Sequence, residues 1–170
     1  MSKSRFLAGF LALFAVLLAA WNASGVGVPC ARLVLALAGA AGPMLHGWVL
    51  ELPAGGQSRP VWVHGADRVD LVIQLDAVVV GVVPLTALFL ATPRLGWRRR
   101  CVLVAVGLVC YLVLDAIIVT LFPLLVFHQN AFTDIVGTFL GMLAFVGAPV
   151  IIWFGFTFRH LQGWLPSLRG

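Results

Sequence analysis

Long apolar runs separated by short polar segments dominate the chain. A bilayer core about 30 Å thick requires about 20 apolar residues in a helix that rises about 1.5 Å per residue. Four runs meet this length and predict four transmembrane helices, at about residues 6–23, 71–92, 101–127 and 135–158. Pro84, Pro123 and Pro149 fall inside three of these runs, and each is expected to kink its helix.

A fifth apolar run, residues 26–52, is interrupted by prolines and glycines. Its cleanest piece, residues 30–41, would be about 18 Å long as a helix. This length is too short to cross a bilayer, so the run predicts either a helix lying on the membrane surface or a re-entrant helix.

Two β-rich runs, residues 48–52 and 61–64, flank a turn segment rich in proline and glycine at residues 53–58. This pattern predicts a small β-hairpin. Residues 65–70 are then expected to lead directly into the second transmembrane helix. With the short helix, the hairpin would form an outer segment over residues 24–70, in an otherwise all-α membrane protein.

Tryptophans flank the predicted helices and the hairpin. Tryptophan is enriched where a membrane protein crosses from lipid to water. An interfacial position is therefore expected on the outer side for Trp21, Trp48 and Trp62, and on the inner side for Trp97 and Trp164.

The basic residues are distributed asymmetrically. The chain has 11 Lys and Arg against 6 Asp and Glu. With four crossings and the N-terminus inside, the cytoplasmic ends contain Lys3, Arg5, Arg94, Arg98, Arg99, Arg100, Arg159 and Arg169, and the outside contains only Arg32, Arg59 and Arg68. The positive-inside rule therefore favours four crossings with both termini cytoplasmic. Residues 1–170 are predicted to form a single integral domain of a bacterial inner membrane.

A cleaved signal peptide is an alternative interpretation of residues 1–25, because two basic residues precede the apolar run. The run is longer than a usual signal peptide core, and no clean A-x-A site follows it. A retained helix is the favoured interpretation.

Composition narrows the possible classes of protein. Hydrophobic residues make up 62% of the chain and charged residues 10%. These values exclude a water-soluble domain and a disordered chain. In a membrane protein, the excess of basic residues sets topology, so no nucleic-acid partner is predicted.

Two predicted helices contain stripes of small residues. Because lipid provides no hydrophobic drive between helices, membrane helices pack closely through such stripes. The candidate packing residues are Ala8, Ala12, Ala15 and Ala19 in the first helix and Gly137, Gly141, Ala144 and Ala148 in the fourth. Each stripe is suited either to packing inside the chain or to docking on another membrane protein.

Asp115 is the most informative single residue, because it lies 14 residues after Cys101 and so near the middle of the bilayer. A carboxylate at this depth is expected to be protonated, or to be paired and turned inward. Tyr111 lies one helical turn earlier, where it can donate a hydrogen bond to Asp115. Both a proton or ion site and a structural tie between helices remain open. Asp76, beside Gln74, is a third candidate, although a local polar cluster near the outer surface is the favoured explanation for it.

The sequence contains no recognisable catalytic or metal-binding motif. The three cysteines and four histidines have no metal-ligand or disulfide spacing, and there is no phosphate-binding loop or G-x-S-x-G sequence. The sequence therefore predicts a protein that is not an enzyme and has no cofactor and no metal.

One segment, Pro-Leu-Thr-Ala-Leu-Phe-Leu-Ala-Thr-Pro at residues 84–93, is followed by a basic loop. This pattern and the order of helices resemble the small membrane proteins associated with exosortase H. The resemblance implies an accessory role beside a membrane enzyme that processes C-terminal sorting signals, and it implies that this enzyme is a partner.

Two functions therefore remain open. The first is an accessory protein that contacts an exosortase-like membrane protein through its helices. The alternative is a subunit of a small proton- or ion-coupled transporter in which Asp115 titrates.

Overall fold

The fold is mostly helical, with one small sheet. The computed structural model describes residues 3–52, 60–71, 79–93, 95–127, 135–137, 139 and 147–162. The elements in these residues are α1 (Lys3–Ser24), α2 (Gly27–Leu45), β1 (Val49–Glu51), β2 (Val61–His64), β3 (Asp67–Asp70), α3 (Val82–Ala91), α4 (Trp97–Phe127) and α5 (Ala148–Gln162). Residues 135–137 are also helical.

Three of the described helices, α1, α2 and α4, are long and apolar enough to cross a membrane. Helices α1 and α4 confirm the first and third predicted helices, although α4 begins four residues before the predicted start. The fourth predicted helix is helical at both of its described ends, and α5 continues past residue 158 to Gln162. Residues 140–146, between those ends, lie outside the described residues.

The second predicted helix does not begin at Leu71. The backbone N–H of Leu71 donates to the carbonyl of Pro60 at 2.9 Å, which prolongs the pairing between β2 and β3. The described helix in this region, α3, has 10 residues and is about 15 Å long, too short to cross a bilayer alone. Pro84 therefore lies in the first turn of α3, where a missing N–H breaks no helical bond, and the predicted kink does not arise.

Helix α2 corrects the prediction for the fifth apolar run. It has 19 residues and not the 12 of residues 30–41, so it is long enough to cross. Pro29 lies in the first turn, where a missing N–H breaks no helical bond, and Pro43 lies in the last turn, where it removes one helical hydrogen bond two residues before the helix ends. Gly42 does not interrupt the helix. A Cβ at this position would overlap the Trp62 ring, so the glycine allows the sheet to pack closely on α2.

The predicted hairpin is confirmed and has one additional strand. Strands β1 and β2 pair antiparallel, with Leu50 opposite Trp62. Residues 67–70, predicted as a connection, instead form β3 on the other side of β2. The turn between β2 and β3 is possible because Gly65 adopts a left-handed conformation, with φ of 62°. Val69 is the buried residue of β3, and its neighbours are exposed.

Two tryptophans of the outer segment belong to the core and not to the membrane interface. Trp62 is 0% exposed and Trp48 is 5% exposed. Both lie in the hydrophobic core cluster with the inner face of α2. The interfacial interpretation of these two residues is therefore wrong. Trp97 is 68% exposed at the start of α4, and its interfacial position stays a prediction.

Candidate functional site

The candidate site lies where α3 and α4 meet, at Asp115 and Tyr111. Asp115 is 3% exposed and Tyr111 is 0% exposed. The Tyr111 hydroxyl forms a side-chain hydrogen bond with Asp115, as their spacing of one turn predicted. The backbone N–H of Gly81 donates to the same hydroxyl at 3.2 Å. Because an N–H can only donate, the Tyr111 oxygen accepts there and its own hydrogen remains available to Asp115.

Asp115 Oδ2 is buried and, among the described residues, has no hydrogen-bond partner. A buried polar atom left in this way costs about 1–3 kcal/mol. Native structures contain few such atoms, and each calls for a physical explanation. Oδ2 of Asp115 can therefore still take up a proton or accept a hydrogen bond from a ligand.

Close packing of α3 on α4 holds this pair in place. A Cβ on Gly81 would overlap the Tyr111 hydroxyl oxygen and lie 2.5 Å from Tyr111 Cζ. Further along, a Cβ on Gly107 would lie 2.5 Å from Cε2 of Phe89. Each helix therefore inserts one aromatic ring over a glycine of the other. Since Gly81 precedes Phe89 and Gly107 precedes Tyr111, the two helices run in opposite directions.

A second polar cluster surrounds Thr92, at the end of α3. The Trp153 indole N–H donates to Thr92 Oγ1 at 2.8 Å, and that hydroxyl donates to the Leu88 carbonyl at 2.7 Å. Arg100 Nη2 donates to the Thr92 carbonyl at 2.9 Å. Trp153 also stacks on Phe6, with 6.0 Å between ring centroids. Thr92 thus connects α3 with α4 and α5 and, through Trp153, with α1.

The alanine stripe of α1 does not pack inside the described chain. All four of its residues, Ala8, Ala12, Ala15 and Ala19, are exposed. The opposite side of α1, which includes Phe6, Phe10 and Phe14, is half-buried, and α1 contacts α3. We call the exposed side, defined by the four alanines, the alanine face.

The other predicted site residues have mixed outcomes. Ala148 is buried in the core cluster, whereas Gly137 is half-buried and has open space beside its Cα. Asp76, Gly141 and Ala144 lie outside the described residues. In the part of the chain that the structure describes, no three His, Cys, Asp or Glu residues come together as a metal site would require.

Three important positions were not identified from the sequence. The sequence pattern counts Gly42 among the glycines that interrupt the fifth apolar run, and it gives no role to His46 or Thr92. The one available signal was a glycine inside an apolar run, which can mark a close helix contact as well as a break. Thr92 and Trp153 are 61 residues apart, so no local pattern connects them.

Comparison of the chain with protein-family models, with curated proteins and with solved structures found no match.

Proposed function

We propose that this chain is a non-catalytic, multi-pass accessory protein of a bacterial inner membrane. It associates through helix–helix contacts with a larger integral membrane enzyme of the exosortase type. The observation that carries the proposal is the alanine face of α1, which is exposed while the opposite side of α1 contacts the rest of the chain.

The physical argument concerns what small residues do in lipid. Small side chains allow two helix backbones to approach closely, and this packing drives association where hydrophobicity does not. A helix side that meets only lipid gains nothing from alanine. The alanine face is bordered by larger exposed residues, with Leu7 and Leu11 on one side and Val16 on the other. This arrangement suits a second helix better than it suits acyl chains.

The proposed topology has four crossings, with both termini in the cytoplasm and residues 24–70 outside. Under this topology α2 is not counted as a crossing, although it is long enough to be one. Arg32 in α2 is exposed and would face lipid if α2 crossed, at considerable cost. The eight-to-three division of basic residues also supports an even number of crossings.

The first test is co-purification. The chain is co-expressed with an exosortase-type enzyme of its own host and purified in mild detergent through a tag on the enzyme. We expect wild-type chain to be retained and the double variant Ala12→Leu/Ala15→Leu to be retained about tenfold less, because about 1.4 kcal/mol of lost packing changes binding tenfold.

The matched control is Leu7→Ile/Val16→Ile, which preserves bulk on the same exposed side of α1. It is expected to be retained like wild type. Failure of the wild-type chain to co-purify with such an enzyme, or equal retention of the alanine-face variant, would reject the proposal.

A second function, proton or ion coupling, is favoured by one observation, the unpartnered Oδ2 of buried Asp115. A buried carboxyl in a membrane helix is often part of an ion pathway. Against this function, the influences on Asp115 from the described residues are its burial and the Tyr111 hydrogen bond, and neither is a positively charged partner.

Asp115→Asn separates the two functions, because it retains the side-chain shape and removes the titrating group. The accessory function predicts unchanged co-purification with the enzyme and no proton flux by either protein in liposomes. A coupled transporter predicts flux in wild type that the variant abolishes while its expression remains normal. Observing that pattern would replace the accessory proposal.

A further inference from the structure

His46 contacts α2, the sheet and α4, and the proposed function gives this residue no role. It is the residue directly after α2, and its backbone N–H donates to the Gly42 carbonyl at 3.0 Å. Its ring lies edge-on to Trp62 in the sheet, with 5.5 Å between centroids. The same ring reaches α4, so α2, the sheet and α4 meet at one titratable side chain.

The two ring nitrogens have different and fixed partners. His46 Nε2 is 2.8 Å from the backbone oxygen of Thr120 in α4. His46 Nδ1 is 3.2 Å from the backbone N–H of Trp48, which donates to it. A carbonyl oxygen can only accept and an amide N–H can only donate. His46 must therefore be neutral, with its hydrogen on Nε2, for both bonds to exist.

Protonation of the ring breaks this arrangement. A proton on Nδ1 would point at the N–H of Trp48, so two donors would face each other and this hydrogen bond would break. The Thr120 bond can persist, because Nε2 keeps its hydrogen. Protonation therefore loosens the turn between α2 and β1 at Trp48 and leaves the contact with α4 in place.

Other titratable groups lie on the elements around His46. His64 in β2 is another histidine, and its ring lies against the Trp48 ring with 5.4 Å between centroids. Helix α4 contributes Asp115, about one and a half turns before Thr120, and Tyr111, about two and a half turns before it. The remaining charged residues of α2 and the sheet are exposed, namely Arg32, Glu51, Asp67, Arg68 and Asp70. His64 is therefore the group from which an effect of His46 must be distinguished.

We propose that His46 is a pH-sensitive latch on the turn that leads from α2 to β1. The neutral ring accepts the Trp48 N–H and donates to the Thr120 carbonyl, and the protonated ring releases the Trp48 N–H. Histidine is the side chain that changes charge near physiological pH. The latch is closed at the higher pH and opens as the pH falls. It does not depend on the docking of a partner on α1.

The test is hydrogen–deuterium exchange of the full chain in detergent micelles, at about pH 8 and about pH 5, with rates corrected for intrinsic exchange. In wild type we expect protection of the Trp48 amide to fall about tenfold at the lower pH, as the loss of one buried hydrogen bond implies. Protection of the helical amides of α4 before Thr120 is expected to change little.

Two variants identify the responsible residue. His64→Gln is expected to retain the wild-type pH dependence at Trp48, and His46→Gln is expected to lose it. A pH dependence that persists in His46→Gln, or that disappears in His64→Gln, overturns the proposal, as does its absence in wild type.

A second measurement needs no variant and so remains decisive if His46→Gln does not fold. Nitrogen-15 labelling of the histidine rings reports the tautomer and the charge of each ring directly. We expect one neutral ring with its hydrogen on Nε2 at about pH 8, converting to the charged form together with the loss of Trp48 protection. A hydrogen on Nδ1 at the higher pH, or charging of the ring without any change at Trp48, overturns the proposal.

Discussion

Replacing Gly42 with alanine is expected to lower the free energy of unfolding by about 2–3 kcal/mol, a large effect for one added methyl group. A Cβ at this position would overlap Cζ3 of Trp62 and lie 2.7 Å from its Cη2. It would also lie 2.8 Å from the backbone oxygen of Trp48. Trp62 is fully buried and the Trp48 oxygen belongs to the backbone, so neither can yield cheaply. The sheet must move away from α2.

Gly39→Ala is the matched control, in the same helix and one turn earlier. Its Cβ would lie 3.5 Å from the Leu50 side chain, an ordinary contact. Because alanine favours a helix over glycine by about 1 kcal/mol, this variant is expected to be as stable as wild type or slightly more stable. Denaturation of both variants in detergent, followed by the near-ultraviolet circular dichroism of tryptophan, provides the measurement. Equal stabilities for the two variants would show that α2 and the sheet do not pack as described.

The second large effect is expected at the contact between α3 and α4. Gly81→Ala should lower the free energy of unfolding by about 2–3 kcal/mol, because the new Cβ would occupy the position of the Tyr111 ring end. Tyr111→Leu should also destabilise, since it removes buried ring atoms and the hydrogen bond to Asp115. The double variant should be more stable than the sum of the two effects predicts, by about 1 kcal/mol or more, because the shorter leucine leaves room for the alanine methyl.

Gly155→Ala in α5 is the control for this pair, because a Cβ there would meet no atom within 4 Å. It should not interact energetically with Tyr111→Leu. A double-mutant cycle measured by denaturation compares the two pairs. Simple additivity of Gly81→Ala and Tyr111→Leu would contradict the packing of Tyr111 over Gly81.

Sequence patterns were sufficient where a single local signal determines the structure. Uninterrupted apolar runs predicted α1 and α4, and a turn cluster between two β-rich runs predicted the pairing of β1 with β2. The contact between Tyr111 and Asp115 followed from helical spacing alone. The accuracy in these cases reflects a physical fact, namely that a helix or a hairpin satisfies its own backbone groups locally.

The failures occurred where a distant residue decides the structure. Gly42 lies inside α2, and the reason for a glycine there is Trp62, 20 residues further along the chain, whose ring occupies the place of a Cβ. Strand β3 has only one buried residue, so its sequence shows little alternation, and its pairing with β2 determines its conformation. Tryptophan suits both an interface and a core, and only the contact with α2 decides between these for Trp48 and Trp62. None of these partners is adjacent in sequence.

The contacts around Thr92 and those around His46 divide the molecule into a rigid part and an adjustable part. Thr92, Trp153 and Arg100 join four helices through short hydrogen bonds and one aromatic stack. The sheet is held to the helices by glycine contacts and by His46, whose bonds require a neutral ring. A partner on α1 would therefore bind to the rigid part, while a change in pH would act on the turn that leads into the sheet.

The most direct test of the central claim, that the alanine face of α1 docks another membrane protein, is site-specific photo-crosslinking in intact membranes. A photoreactive amino acid is placed in turn at Ala8, Ala12, Ala15 and Ala19 and, on the opposite side of α1, at Leu13 and Leu17. The account predicts adducts with one exosortase-type enzyme from the four alanine positions and no such adducts from the two leucine positions. Adducts with lipid alone from the alanines, or equal capture of that enzyme from both sides of α1, would contradict it.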